Sequence, residues 1–185
     1  MNGDTESVRR VLLTLGWTSD DHFAPSRDAL PGRVSIVNGA KAEVIWCASS
    51  GTESTSLCSF AAALDPRPVA GDWVEVRDEH IVGVAPRRTA LRRPGVSQGE
   101  VQVLAANIDV VLLVLPIDRK MNLRMLERLS IMAWDSGARP AVVLTKADEA
   151  ANEVAALDQK LKSMGQHSAM LFNERLLNQM QTKEK

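Results

Sequence analysis

The spacing of apolar positions changes twice along the chain. Between Glu6 and Trp17, Val8, Leu12 and Leu15 recur at helical intervals and Gly16 supplies a left-handed stop, which predicts a short amphipathic helix. Residues 18–31 are polar and proline-bearing and read as a connection. From Gly32 to about Pro86 the period falls to two. Val34 and Ile36 alternate with Arg33 and Ser35, Asn38-Gly39 supplies two positive-φ residues for a tight hairpin, and Val44 and Trp46 continue on the return strand. Thr55 to Ala61 forms a third run, and Trp73-Val74-Glu75-Val76 turns at Asp78-Glu79 into Ile81-Val82-Gly83-Val84. Short strands in close succession, with no room for a helix of ordinary length, predict a small closed or nearly closed barrel. An OB-fold and an SH3-like barrel both satisfy that pattern.

After about residue 100 the pattern becomes that of an α/β protein. Val110-Val111-Leu112-Leu113-Val114-Leu115 is an unbroken aliphatic run, as expected of a parallel strand covered on both faces. Asn122 is placed to cap a helix in which Met125, Leu126, Leu129, Met132 and Ala133 form one apolar stripe, closed by Gly137. Pro140 introduces a second buried strand, Ala141-Val142-Val143-Leu144, completing a right-handed βαβ unit. A further helix is predicted from Glu149 to Met164, stopped by Gly165. The expected organisation is an N-terminal helix and connection over 1–30, a barrel with a basic linker over 31–95, a partial α/β domain over 96–165 and a tail over 166–185.

Composition narrows the function classes. The 185 residues are 45% hydrophobic, enough for one medium domain or two small ones. Twenty-two Lys and Arg against 23 Asp and Glu leave a net charge of −1, which argues against a disordered chain and against holding nucleic acid by bulk charge alone. Cys47 and Cys58 are too few for a disulfide framework or a tetrahedral zinc site, and read as buried thiols. The longest apolar run, Val110 to Pro116, is too short to span a membrane, and the N-terminus MNGDTESVRR has no apolar segment of the secretory kind. A soluble cytoplasmic protein with no membrane partner is expected.

Two groups of residues could carry chemistry. Thr145-Lys146-Ala147-Asp148 falls where the second parallel strand ends, the edge at which open α/β sheets bind ligands. The pattern [Asn/Thr]-Lys-x-Asp is how many GTP-binding proteins read guanine. An ionised Asp148 can accept hydrogen bonds from the guanine N1–H and 2-amino group, a donor pair adenine lacks, while the Lys146 stem lies along the base. Asp148 equally suits the cap of a helix starting at Glu149, so the tetrapeptide alone leaves both readings open. Arg87, Arg88, Arg92 and Arg93 form the densest basic cluster, with no acidic residue between Pro86 and Gly95. That cluster suits either a grip on RNA phosphates or a solvated linker paired with nearby carboxylates. Trp46, Phe60 and Trp73 have apolar or small neighbours two residues away and read as core, Trp73 as a barrel plug, rather than as base-stacking platforms. His22, His80 and His167 have no partner at ligand or triad spacing.

Taken in order, Gly32-Arg33-Val34, Gly71-Asp72-Trp73-Val74, Pro86-Arg87-Arg88-Thr89, Gln102-Val103-Leu104-Ala105-Ala106-Asn107-Ile108-Asp109-Val110 and Leu144-Thr145-Lys146-Ala147-Asp148 resemble the bacterial ribosome small-subunit-dependent GTPase A family, over roughly residues 8–164. The resemblance implies an OB-fold β-barrel followed by a partial α/β P-loop-GTPase-like domain of circularly permuted order. In that order the guanine-reading motif precedes the phosphate-binding motifs, and a zinc-binding helical domain follows. It further implies a GTP-hydrolysing factor in late maturation of the small ribosomal subunit, with GTP, Mg²⁺ and zinc as ligands and the small subunit and its rRNA as partners. Thr145, Lys146, Ala147 and Asp148 would then bind guanine, and Arg87, Arg88, Arg92 and Arg93 would contact RNA.

The phosphate-reading half of that pattern is not found in these residues. None of the 11 glycines is followed by lysine, and none has Asp three residues before it, so neither Gly-Lys-Ser/Thr nor Asp-x-x-Gly occurs. The family places both beyond residue 165, where this sequence reads Gln166-His167-Ser168-Ala169-Met170-Leu171-Phe172 and then turns polar, and His167-Ser168-Ala169 does not supply the Ser-Ala loop that backs the base. Phosphoryl transfer is almost all positioning and charge neutralisation by those missing groups. The expectation is a truncated or frameshifted member that binds GTP weakly at best and does not hydrolyse it alone; no ligands for Mg²⁺ or zinc are identified. The alternatives are a non-catalytic RNA- or ribosome-binding module, and a non-functional fragment whose two parallel strands keep uncovered edges.

Overall fold

The computed structural model describes residues 2–18, 28–47, 51–95, 101–116, 123–145, 159 and 169–171. The chain forms two compact units that divide between Ile108 and Asp109. The change of pattern in the sequence places that boundary earlier, near residue 95.

The first unit opens with helix α1 (Asn2–Thr14), which begins earlier than the apolar spacing marks and stops where Gly16 predicts. Gly16 takes φ +91°, its N–H donates to the Leu13 carbonyl at 3.0 Å, and the Trp17 N–H reaches back to the Leu12 carbonyl at 2.9 Å. That pair of bonds satisfies carbonyls the helix end would otherwise leave open, and turns Trp17 back toward Leu12. Leu12, Trp73 and Ala85 form a buried cluster with Val8, Leu15 and Trp17 packed against it.

Strands β1 (Leu30–Asn38), β2 (Lys41–Cys47), β3 (Glu53–Phe60), β4 (Trp73–Arg77) and β5 (His80–Val84) close into a barrel in the order β1-β2-β3-β5-β4, with β4 returning to β1. A short parallel pairing, Ser59↔His80 and Phe60↔Ile81, joins β3 to β5. This connectivity is that of an OB-fold barrel and settles the choice the sequence leaves open. Alternate residues of the strands point inward, so Val34, Val44, Cys58, Phe60, Val74, Val76 and Ile81 make one buried cluster. Burial pushes the Cys58 thiol above its ordinary pKa, and the nearby Glu79 carboxylate adds to the rise. Trp73 is buried as expected, but under α1, edge-on to Trp17 at 4.8 Å, rather than in the barrel cluster. Trp46 is half-buried, its indole N–H donating to the Ser56 hydroxyl at 3.2 Å.

The β1–β2 turn departs from expectation. Asn38 ends β1 and pairs with Lys41, leaving Gly39 as the residue with positive φ. The left-handed pair lies instead at the β4–β5 turn, where Asp78 and Glu79 take φ 49° and 59°. Two successive left-handed residues match the twist of the flanking strands.

Residues 90–94, expected to be a basic linker, and 101–106, expected to belong to the α/β domain, form a second β element. β6 (Ala90–Pro94) and β7 (Val101–Ala106) pair antiparallel as a two-stranded ribbon. No alternating apolar face marks it: Arg92, Arg93, Pro94, Val101, Gln102 and Leu104 are all exposed, so the period-two signal of a half-buried strand is missing.

In the second unit β8 (Val110–Pro116), α2 (Leu123–Asp135), β9 (Arg139–Thr145) and β10 (Ala169–Leu171) build a parallel sheet in the order β10-β9-β8, with α2 packed on β8 and β9. The expectation of two parallel strands is corrected to three, because Ala169–Leu171, within the segment read as a tail, pairs with Val142–Leu144. Among the described residues β8 is covered on one face only. Leu113 and Leu115 are buried, while Val110, Leu112 and Val114 on the other face are exposed. The α2 stripe is narrower than predicted: Leu126 and Ala133 are buried with Ser130, whereas Met125 is exposed. Gly137, at φ 84°, ends the helix as expected. Asn122 and the helix expected over Glu149–Met164, save Gln159, lie outside the described residues.

Candidate functional site

Thr145 is the last residue of β9 and sits beside Pro116, the last residue of β8, at the C-terminal edge of the parallel sheet. Its hydroxyl donates to the Leu115 carbonyl at 3.5 Å, tying the two strand ends together. This is the carboxyl end of the strands, and the loops that leave it are where doubly wound sheets bind nucleotides. Lys146, Ala147 and Asp148, the rest of the expected guanine-reading tetrapeptide, lie outside the described residues. Among the described residues, no group of three or more His, Cys, Asp or Glu could hold a metal ion, and no helix is long and apolar enough to cross a membrane. His22 and His167 lie outside the described residues; His80 is exposed, with Nδ1 2.7 Å from the Asp78 carbonyl.

The four arginines do not form one patch. Arg92 and Arg93 are successive residues of β6 and point to opposite faces of the ribbon, Arg92 beside Val103 and Arg93 beside Gln102. Arg93 Nε donates to the Gln102 side-chain oxygen at 2.9 Å. Arg88 is exposed near the base of the ribbon. Arg87, expected among the RNA contacts, is turned inward instead. Its Nε and Nη2 each donate to a different oxygen of the Asp72 carboxylate at 2.8 Å, and Nη2 also reaches the Arg67 carbonyl at 2.8 Å. The Asp72 side chain is 0% exposed and that of Arg87 14%. The Val69 N–H supplies a third donor to Asp72, at 2.8 Å. A desolvated pair persists only when its geometry is good and its spare lone pairs are used, and both conditions hold here.

Asn107 gathers the neighbouring segments. It adopts φ 51°, a left-handed conformation that asparagine tolerates better than most residues. Its side-chain amide donates to the Gly71 carbonyl at 3.1 Å, its side-chain oxygen accepts the Arg88 N–H at 2.9 Å, and its own carbonyl accepts Arg33 Nη2 at 3.1 Å. The buried Thr89 hydroxyl accepts the Ile108 N–H and donates to the Ile108 carbonyl, each at 2.7 Å. Arg33 also donates from Nη1 to the Leu15 carbonyl and lies 5.1 Å from the Trp73 ring centroid. One network therefore runs from the end of α1 through β1 and the Gly71–Asp72 turn to the end of β7.

Neither Asp72 nor Asn107 has a role assigned to it by the sequence. Both stand inside the blocks that carry the family resemblance, so those blocks encode this junction as much as a ligand site. A carboxylate following a glycine, and a lone Asn at a strand end, carry no periodic signal from which a buried partner could be read.

A family model described as RsgA GTPase matches residues 84–184. The small ribosomal subunit biogenesis GTPase RsgA of Streptomyces coelicolor is 35% identical over 155 residues, covering 78% of this chain and 42% of that protein. The protein of the same name from Xanthomonas campestris pv. campestris is 35% identical over 159 residues, covering 79% and 44%. The chain thus spans less than half the length of these curated relatives. Among solved structures, YjeQ from Thermotoga maritima aligns with a TM-score of 0.60 at 18% identity, over 80% of this chain and 53% of that one. YloQ, described as a circularly permuted GTPase, aligns at 0.57 and 15%, over 85% and 54%. At these identities the structural likeness is one of fold, and it agrees with a closed barrel followed by a parallel α/β unit. With the family model covering more than half of its residues, the chain belongs to the RsgA GTPase family.

Proposed function

We propose that this chain carries the base-reading and RNA-contacting part of a GTPase that acts in maturation of the small ribosomal subunit in the cytoplasm. The observation that carries this reading is the position of Thr145 at the C-terminal edge of the parallel sheet, where Lys146, Ala147 and Asp148 follow it in a chain of this family. Thr145, Lys146 and Asp148 recognise guanine, Asp148 by accepting from N1–H and the 2-amino group. Residues 1–30 serve as helix and connection, the barrel and its ribbon up to residue 108 as the RNA-binding part, and the α/β unit from residue 109 as the partial GTPase domain. Without Gly-Lys-Ser/Thr in its 185 residues, the chain lacks the groups that neutralise phosphate charge. Base contacts of about 1.5–3 kcal/mol each then do little more than offset an association cost of about 4–15 kcal/mol. Titration calorimetry is expected to show GTP binding no tighter than about millimolar and no turnover. A micromolar dissociation constant would overturn this.

Arg88, Arg92 and Arg93 contact rRNA phosphates, one at the base of the ribbon and one on each of its faces; Arg87 holds Asp72 and takes no part. Alanine at all three positions is expected to weaken binding to small-subunit rRNA and to lower the slope of log K against log salt by about 2–3, one unit or slightly less per lost phosphate contact. An unchanged slope would leave the arginines as a solvated surface. The barrel and ribbon belong to one compact unit that does not include the nucleotide-reading sheet. This favours, as a second reading, a non-catalytic RNA- or ribosome-binding module. GTP turnover in the presence of small subunits separates the two.

A further inference from the structure

Between the barrel and the β6–β7 ribbon lies an open cleft of about 940 Å³. Ile36 and Val37 of β1 form one side, Pro66, Pro68 and Val69 a second, and Val101, Val103 and Leu104 of β7 the third. At its closed end the 65–70 segment meets β7 through one parallel bridge, Ala70↔Ala105, with the Ala106 N–H donating to the Ala70 carbonyl at 2.9 Å. Beyond that bridge the two segments pair no further among the described residues. Pro66 and Pro68 have no N–H to offer, so the outer wall cannot extend the ladder. Among the described residues β7 is paired as a strand on its β6 side only. The ladder shifts register between Leu91 and Arg92, and beyond that shift Pro94, opposite Val101, has no N–H to donate; Gln102 therefore pairs with Arg93, and Val101 and Val103 turn their N–H and carbonyl to the other edge, as Ala106 does toward Ala70. The fold thus leaves, among the described residues, an open cleft beside an unpaired edge.

The geometry points to this cleft as a β-augmentation site: an extended polypeptide segment, apolar at alternate positions and acidic between them, adds to the free edge of β7. The edge from Val101 to Leu104 is about 13 Å long at roughly 3.3 Å per residue, the reach of a short strand. Main-chain pairing supplies affinity, and the valine, proline and leucine walls select apolar side chains at every second position. Charge selects the residues between. Among the described residues, Arg67 stands on the outer wall and Asp65 is the one acidic residue that lines the cleft, while Arg92 and Arg93 stand on the neighbouring strand β6 without lining it. Two other ligand classes fit less well. Among the described residues no aromatic ring lines the cleft to stack a nucleobase, and Arg87, which does line it, is committed to Asp72. Nor, among the described residues, do uncommitted polar side chains converge there, as a small-molecule site requires. This site goes beyond the nucleotide and RNA reading because it uses the main chain of β7.

The test uses the whole chain, a fluorescein-labelled heptapeptide of alternating valine and glutamate, the same peptide N-methylated at every amide, and a uridine ten-mer. Anisotropy is expected to show saturable binding of the unmodified peptide below about 1 mM and at least tenfold weaker binding of the methylated one, which keeps its side chains but cannot pair. The Val101 and Val103 amides should shift and gain exchange protection. Val101 is 61% exposed, so Val101→Glu should weaken the peptide about tenfold by charge repulsion without changing the melting curve. No binding at 1 mM, or equal binding of both peptides, overturns the proposal. Tighter binding of the uridine ten-mer, with shifts at the same amides, would assign the cleft to nucleic acid instead.

Discussion

Replacing Asp72 with alanine is expected to lower the unfolding free energy by about 3 kcal/mol, the low end of what breaking a buried ion pair costs. An exposed pair would be worth less than about 1 kcal/mol, and the difference here is burial. The Asp72 side chain is fully enclosed and accepts three hydrogen bonds, two from Arg87 and one from Val69. Its removal orphans the Val69 N–H and strands a guanidinium. Arg87 keeps 14% of its side chain in contact with solvent and can partly rehydrate, which holds the cost below the upper limit of about 5 kcal/mol. Arg87→Ala leaves the opposite problem, a buried carboxylate that keeps the Val69 N–H but has lost its cation. Because each variant already loses the shared interaction, the double variant should cost less than the sum of the two by about 1–3 kcal/mol. Urea denaturation of all four proteins measures this directly. Losses that add to within about 0.5 kcal/mol would mean the two side chains act independently.

This pair also shows where the sequence stops being legible. The barrel strands can be read because alternate residues face one apolar core, and α1 because Val8, Leu12 and Leu15 share a face against Trp73. The parallel strands β8 and β9 can be read as aliphatic runs. Their environment cannot: Leu112 looks as apolar as Leu113, yet one is 58% exposed and the other 4%, because cover depends on what packs on each face. The β6–β7 ribbon escapes notice for the opposite reason. It is exposed on both faces, so nothing in its pattern distinguishes it from a linker. Arg87 groups with Arg88, Arg92 and Arg93 only by proximity in sequence. Its partner lies 15 residues earlier, and only the turn at Gly71 brings that carboxylate beneath it. At the candidate site, Thr145-Lys146-Ala147-Asp148 is recognisable as a local pattern following a strand, and Thr145 lies where that strand ends.

Gly71→Ala is expected to be the most damaging single methyl in the barrel unit, at more than about 3 kcal/mol. Gly71 takes φ +88°, where a Cβ adds roughly 1–2 kcal/mol of strain by itself. Steric overlap costs more than that strain. A Cβ here would lie 2.0 Å from the Ala106 carbonyl oxygen and 3.1 Å from its carbon, both backbone atoms. Neither side can give way cheaply. The Gly71 N–H donates to the Val34 carbonyl at 2.8 Å, the Gly71 carbonyl accepts from Asn107, and Ala106 is held to Ala70. Relief would require β7 to move off the turn, breaking the Ala70↔Ala105 bridge and the Asn107 contacts together. Gly39→Ala isolates the steric part of this cost. Gly39 also has positive φ, +64°, but a Cβ there meets nothing within 4 Å, so only the conformational penalty of about 1–2 kcal/mol applies. Hydrogen exchange should show the Ala106 and Asn107 amides losing protection in Gly71→Ala and keeping it in Gly39→Ala. Equal destabilisation by the two substitutions would mean that β7 does not press on the turn, and that the junction between barrel and ribbon is looser than these contacts require.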